Sequence, residues 1–391
     1  MKKISVLFFL VMFVIGTDTF LIAPLLPTLT EVYQISPSIS GWLVSAYAIG
    51  YALFALIAGP ISDGLNRKKV MVIGLIAFTL STFLCGLAPS FWLMILCRLL
   101  AGVSASFVSP QVWASIPILV PQKSILRTMG YATTGLSISQ MIGIPIGSYL
   151  ASFSWHMPFF IISLLSFILI IIIHFLLPNI NPITKKDTTL GIKSIFEIYS
   201  NLLKRPRAIK YFIAYFIFQT GNFAAFSFIG FWYAKDFSLQ VTSIGTAMIM
   251  LGLANTIGSL FGSRVVKHLG EAKSLLYSII LLISLYVILP FAPTIIYAEI
   301  VFFFIFLIGG LLFPVFMTLL QTLSSTARGT VSAISSAAMY SGATIGAILG
   351  GLLLNNFSGF MGVSFLTALL YILSLLLYKS SGIFKNYIAK E

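Results

Sequence analysis

Residues 59–69 read Gly59-Pro60-Ile61-Ser62-Asp63-Gly64-Leu65-Asn66-Arg67-Lys68-Lys69 and join two apolar runs, about 38–62 and 70–88. About 20 apolar residues suffice for a helix to cross a bilayer, so each run is long enough to span one. The three consecutive basic residues at the junction mark a side, because short loops rich in Lys and Arg stay in the cytoplasm. The stretch therefore reads as a cytoplasmic turn between two membrane helices.

Outward from this turn, the same reading divides the chain into twelve segments: about 4–29, 38–62, 70–88, 91–118, 127–152, 157–178, 209–233, 242–266, 274–292, 294–319, 328–354 and 360–379. Composition agrees. Of 391 residues, 59% are hydrophobic and 8% charged, whereas a soluble domain carries roughly a quarter of its residues as charges. The apolar runs are continuous rather than alternating, which excludes an outer-membrane barrel. Lys2-Lys3 before an apolar run has the look of a signal peptide. The run continues into Pro24 and Pro27 without a small-residue cleavage site, so a retained first helix is expected. The expected fold is an all-α membrane protein with twelve transmembrane helices.

The formal net charge of +14 follows the topology instead of forming a nucleic-acid surface. With the N-terminus in the cytoplasm, 21 of the 23 Lys and Arg residues fall on the cytoplasmic side; the exceptions are Arg98, inside the fourth span, and Lys235, in an outer loop. That bias predicts a multi-pass protein of the cell membrane with both termini cytoplasmic. The basic ends add attraction to anionic lipid headgroups, and no nucleic-acid partner is expected.

The longest polar interval lies in the middle. It divides the chain into an N-terminal six-helix bundle (1–178), a cytoplasmic linker (179–208) and a C-terminal six-helix bundle (209–391). The halves echo each other: Gly143 and Gly147 match Gly346 and Gly350 at an offset of 203, Gly59 matches Gly262 at the same offset, and Pro110 matches Pro314 at 204. Parallel repeats of this kind predict two pseudo-symmetric bundles with a binding site between them, reached alternately from either side.

Four stretches resemble motifs of the major facilitator superfamily. The turn at 59–69 resembles its loop signature G-x-L-a-D-R-x-G-R-K. Gly59, Asp63, Arg67 and Lys68 match, while Gly64 and Asn66 replace the first Arg and the second Gly. In the family the acidic residue contacts the start of the eleventh helix, where a carboxylate gains about 0.3–1 kcal/mol from the helix dipole, so these four residues are expected to form a conformational latch. Arg98-Leu-Leu-Ala-Gly102-Val-Ser-Ala105 resembles the fourth-helix pattern R-x-x-q-G-x-g-a. Ser139-Gln-Met-Ile-Gly143-Ile-Pro145-Ile-Gly147-Ser148 resembles the fifth-helix antiporter motif of twelve-span drug exporters, with the proline moved by one place. Asp18 ahead of Pro24-Leu-Leu-Pro27 resembles the first helix of the same exporters. In the antiporter-motif helix and its repeat, Gly143, Pro145, Gly147, Gly346 and Gly350 are expected to supply close packing or a hinge.

Two of nine acidic residues, Asp18 and Glu299, fall inside spans. Away from water a carboxylate keeps its proton to higher pH, which is what a proton carrier requires. Both are candidates for proton coupling, with Asp18 the deeper. Arg98 costs at least about 2.5–3.5 kcal/mol in a membrane helix and should face a cavity or an acid. An offset near 203 puts Arg98 opposite position 301, which suggests a pair with Glu299 across the two halves. The resemblance places spans one, four, seven and ten around the cavity. The candidate cavity residues are Asp18, Arg98, Tyr215, Gln219, Asn222 and Phe223, a mixture of aromatic and polar groups suited to amphipathic ligands.

Cys85 and Cys97 lie in apolar runs, and His156, His174 and His268 are scattered, so no metal site is expected. The sequence has no phosphate-binding G-x-x-x-x-G-K-[ST] loop, nor any nucleophile with an acid–base pair. An enzyme is not expected, no cofactor is implied, and the energy source is an ion gradient. The resulting expectation is a monomeric antiporter that exchanges protons for small amphipathic organic molecules or drugs by alternating access. Exporters of one metabolite (a sugar, an amino acid or a metallophore) and lipid flippases have the same sequence features and stay open.

Overall fold

The computed structural model describes residues 2–63, 65–180, 199–200, 202–323 and 328–384. Among these residues, twelve helices are long and apolar enough to cross a membrane. We number them α1 (Lys2–Val32), α2 (Trp42–Asp63), α3 (Arg67–Leu87), α4 (Phe91–Leu119), α5 (Gln122–Ile138 continued by Ser139–Gly143 and Ile144–Phe153), α6 (Met157–Leu176), α7 (Pro206–Phe237), α8 (Val241–Leu269), α9 (Glu271–Ile288), α10 (Ile295–Gln321), α11 (Arg328–Asn356) and α12 (Met361–Ser380). The linker expected at 179–208 falls largely on residues 181–198 and 201, outside the described residues. An even number of crossings puts Lys2 and Ser380 on one face of the bundle, the terminal face; the opposite face is the distal one.

Local chemistry sets the helix ends. Asn66 caps α3, its side chain accepting from the backbone N–H groups of Lys68 (3.0 Å) and Lys69 (3.3 Å). Ser90 and Thr294 do the same for α4 and α10, each satisfying an N–H that the helix leaves unpaired. Ser238, in the left-handed region at φ 54°, ends α7. In α5 a π-turn covers Ser139–Gly143, with the Ile144 N–H reaching back five residues to the Ser139 carbonyl. Pro145 follows at once and has no N–H to give; the wider turn takes up the interruption within a helix that stays continuous.

Close helix contacts reveal the internal repeat. A methyl group on Gly50 of α2 would overlap Leu99 and abut Val103 of α4, and one on Gly258 of α8 would overlap Leu307 and abut Leu311 of α10. Every member of the second set lies 208 residues after its counterpart. Gly102 against the Tyr47 carbonyl and Gly310 against the Asn255 carbonyl repeat that offset. Gly135 against Phe9 and Phe13, and Gly342 against Phe216 and Thr220, are 207 apart. The register expected from sequence, 203, is thus one helical turn short. Small residues recur at every turn of α5 and α11 (Gly135, Ser139, Gly143 and Gly147; Gly342, Gly346 and Gly350), so between these two helices a slip of four residues still aligns glycine with glycine. In the corrected register Gly143 corresponds to Gly350, Gly346 to Ser139, Arg98 to Phe306 and Asp18 to Ala225.

The two bundles meet in the distal halves of their helices. On one seam, between α2 and α11, Ser45 donates to the Thr344 carbonyl at 2.8 Å, the rings of Tyr51 and Tyr340 stack at 3.8 Å, and Gly41 leaves no room for a side chain against Ala347. On the pseudo-equivalent seam, between α5 and α8, Asn255 donates to Gln140 at 2.6 Å and Gly252 abuts Met141. Between them Phe20 of α1 meets Phe226 of α7 edge to face at 5.7 Å, and Gly230 of α7 lies against the α1 backbone at Ala23 and Pro24.

Candidate functional site

Asp18 lies halfway along α1 and Arg98 two turns into α4, and the fold brings them together. Arg98 Nη1 donates to Asp18 Oδ2 at 2.8 Å, with 1% of the arginine side chain and none of the aspartate side chain exposed. Arg98 Nε also donates to the Leu43 carbonyl at 3.4 Å, and its guanidinium carbon stands 4.6 Å above the centre of the Tyr47 ring. One anion, one carbonyl dipole and one aromatic face thus surround a buried cation, each interaction strengthened where water is excluded. Asp18 Oδ1 is buried and has no hydrogen-bond partner among the described residues. Its neighbour Thr19 donates to the Tyr47 hydroxyl at 3.0 Å.

The α5 turn that carries the antiporter-like motif packs directly behind Asp18. Gly143 sits against Thr17, Gly147 against Leu21, and Gly16 of α1 against Ser139. Side chains at these three glycines would push α5 off the turn that holds the carboxylate. Pro145 lies on the other side of α5, its Cα facing Gly245 of α8. Gly346 and Gly350 pack onto α7 at Thr220, Ala224 and Phe228, so the repeat of this motif works inside the second bundle.

Glu299 stands elsewhere. It accepts a hydrogen bond from the Tyr233 hydroxyl of α7, inside the second bundle and near its distal end. Its Oε2 is buried without a partner among the described residues. The cross-bundle pair with Arg98 expected from sequence is replaced by these two separate arrangements: Arg98 corresponds in the repeat to Phe306, two turns from Glu299, and Asp18 is already at hand. Of the other expected cavity residues, Gln219 donates to the Tyr215 hydroxyl at 2.8 Å and Asn222 donates to Gln219 Oε1 at 3.3 Å, forming a polar ladder along α7. Phe223 sits between the bundles with Ala48 and Ala343.

In the loop at 59–69, the surroundings of Gly59 and the side chain of Asp63 fall outside what the structure describes. Arg67 donates to Gln111 of α4 at 3.3 Å, and Lys68 donates to the His174 carbonyl of α6 at 2.7 Å. Both of these bonds stay within the first bundle. Tyr47, Tyr51 and Tyr340, which line the seam beside Arg98, are absent from the residues expected from sequence; an aromatic in a chain with 35 Phe and 16 Tyr carries no signal of its own.

Comparison with known proteins agrees with this architecture. The family model described as Major Facilitator Superfamily matches residues 8–326 and 211–382. The chain is 51% identical over 374 residues to the uncharacterized MFS-type transporter YceJ of Bacillus subtilis, covering 96% of this chain and 95% of that one. It is 28% identical to Multidrug resistance protein 1 of the same organism, covering 85% of each, and 26% identical to quinolone resistance protein NorA of Staphylococcus aureus, covering 90% of each. Among solved structures, a bacterial homolog of the human lysosomal transporter Spinster superposes with a TM-score of 0.80 at 16% identity, covering 98% of both chains. A D-xylose–proton symporter gives 0.78 at 16% identity, covering 97% of both. The twelve-helix, two-bundle chain belongs to the Major Facilitator Superfamily.

Proposed function

We propose that this transporter is a proton-coupled exporter of small amphipathic organic molecules, working by alternating access from a cell membrane in which the terminal face is cytoplasmic. The buried pair of Asp18 and Arg98 carries the reading. A carboxylate enclosed this completely is stable in one of two ways, paired with the arginine or neutralised by a proton, and exchange between them is a proton-transfer step. With the distal seams closed, as in this structure, Asp18 is paired. With them open, water reaches the carboxylate and a proton replaces the arginine. Each closure then releases one proton to the terminal side.

Substrate enters the same scheme through Arg98 and the polar ladder of α7. A cationic or polarised molecule that takes over the Asp18 carboxylate from the terminal side breaks the pair, opens the distal seams and leaves when a proton takes its place. The aromatic surfaces of Phe20, Phe223 and Phe226 suit flat amphipathic molecules, and the similarity to multidrug and quinolone resistance proteins supports that class. The test is transport in proteoliposomes with an imposed pH gradient, screened over cationic dyes and quinolones. Accumulation that follows the gradient and disappears in Asp18→Asn supports the reading. Transport indifferent to both the gradient and the substitution removes it.

A further inference from the structure

The proposed proton step needs a physical link to the seams that open and close. We propose that Tyr47 is a positioning residue that transmits the ionisation state of Asp18 to the α2–α11 seam between the bundles. The inference rests on the reading of Asp18 as a group that changes charge during transport.

Four contacts converge on this tyrosine. Its ring lies under the Arg98 guanidinium at 4.6 Å, and its hydroxyl accepts from Thr19, the residue next to Asp18. The ring also neighbours Tyr51 and Tyr340, each at 6.5 Å between centres. Tyr51 in turn stacks on Tyr340 at 3.8 Å. Tyr340 belongs to α11, so one edge of this aromatic cluster is the ion pair and the other is the opposite bundle.

Arg98 holds α2 at two points one turn apart, the Leu43 carbonyl and the Tyr47 ring. Two residues of α2 that bond or stack on α11, Ser45 and Tyr51, alternate with those two points along the same helix. While Asp18 is ionised, it fixes Arg98, and Arg98 fixes the Tyr47 ring in the position that supports Tyr340. A proton on Asp18 removes the anion and frees the guanidinium to turn toward water, and the ring loses its support. Tyr47 supplies a face and a hydroxyl, and no proton passes through it. Among the described residues, the other charged or titratable groups facing the cluster are Asp18 and Arg98 themselves and, from α7, Tyr215.

The experiment needs no known substrate. In a Cys85→Ser/Cys97→Ser background, cysteines at Ser45 and Thr344 report closure of the distal seam by their cross-linking rate in nanodiscs. Asp18→Asn, which imitates the protonated state, should shift this equilibrium toward the open seam by about fivefold or more, the lower bound of ordinary site-to-site coupling. In a Tyr47→Leu background the same substitution should have no further effect. Tyr340→Leu should likewise uncouple the seam from Asp18, which guards against misfolding of one variant. An equal response to Asp18→Asn with and without Tyr47 overturns the relay. No response in the unmodified seam overturns it too, whereas the reading of Asp18 as proton site is judged separately by gradient-driven transport.

Discussion

Arg98 Nη1 and Asp18 Oδ2 meet at 2.8 Å, 80 residues apart in sequence and almost wholly shielded from solvent. The pair joins α4 to α1 at the level where the bundles touch. Removing one partner of such a pair strands the other in a medium that cannot solvate it, at about 3–5 kcal/mol, while replacing both with apolar groups of like volume costs far less. Asp18→Ala and Arg98→Ala should each lower the thermal unfolding midpoint of the detergent-solubilised protein strongly, and Asp18→Leu/Arg98→Met should recover most of the loss. Additive losses in the double variant would show that the two side chains do not depend on each other.

The glycines that hold helices together separate into two kinds. Gly102 faces the Tyr47 carbonyl within the first bundle, whereas Gly130 and Gly309 have open space where a side chain would go. Gly102→Ala should prevent assembly, because main chain cannot move aside. Gly130→Ala and Gly309→Ala should be neutral or stabilising by up to about 1 kcal/mol, since alanine is the better helix former. Fluorescence-detected size-exclusion chromatography after heating measures all three.

Gly41 and Gly252 differ from these because they sit on the seams between bundles. A larger residue at either position should leave each bundle folded and hold the distal side open. Gly252→Val should therefore retain a monodisperse elution profile, lose transport, and increase labelling of a cysteine at Ser45 by a membrane-impermeant maleimide. Unchanged labelling together with normal transport would show that the seam tolerates separation at that point.

The Tyr233–Glu299 hydrogen bond makes a prediction with an unequal outcome. Glu299→Gln keeps an acceptor for the tyrosine and should unfold close to the native temperature. Tyr233→Phe leaves the carboxylate with neither oxygen bonded among the described residues and should cost about 1–3 kcal/mol, the penalty of an unsatisfied buried polar group. Equal midpoints for the two variants would mean that Glu299 reaches water or another partner.

The sequence carried the architecture well and the site in part. Spans, halves and the family resemblance were legible because bilayer thickness imposes a length and membrane topology imposes a charge bias, and both leave marks in single residues. The repeat was legible as a repeat, but its register was ambiguous: Gly143 and Gly147 align as well with Gly346 and Gly350 as Gly143 does with Gly350, since a turn of four residues preserves the face. The same short register, five residues at α4, brought Arg98 next to Glu299. Asp18 and Arg98 were each recognisable as costly charges inside spans, yet nothing in one chain tells which of two acids lies across from an arginine on a helix 80 residues away. The tyrosines of the seam were illegible for a different reason. Their importance comes from what surrounds them, and a tyrosine in an apolar helix looks the same wherever it faces.

Asn66 illustrates how a departure from a motif can have a local cause. It stands where the family pattern has glycine and caps α3 through two backbone N–H groups. Asn66→Gly should cost only a few tenths of a kcal/mol and Asn66→Ala about 1 kcal/mol. Equal stability of the two would assign the cap elsewhere.

If Asp18 exchanges its proton for substrate, binding of a transported molecule must release protons. Purified protein in weakly buffered detergent solution is held at a pH where Asp18 is partly protonated, and a transported dye is added while the pH is recorded. Acidification proportional to the protein present is expected, absent in Asp18→Asn although the dye still binds. Equal proton release from the unmodified protein and from Asp18→Asn would place the exchanged proton on another group.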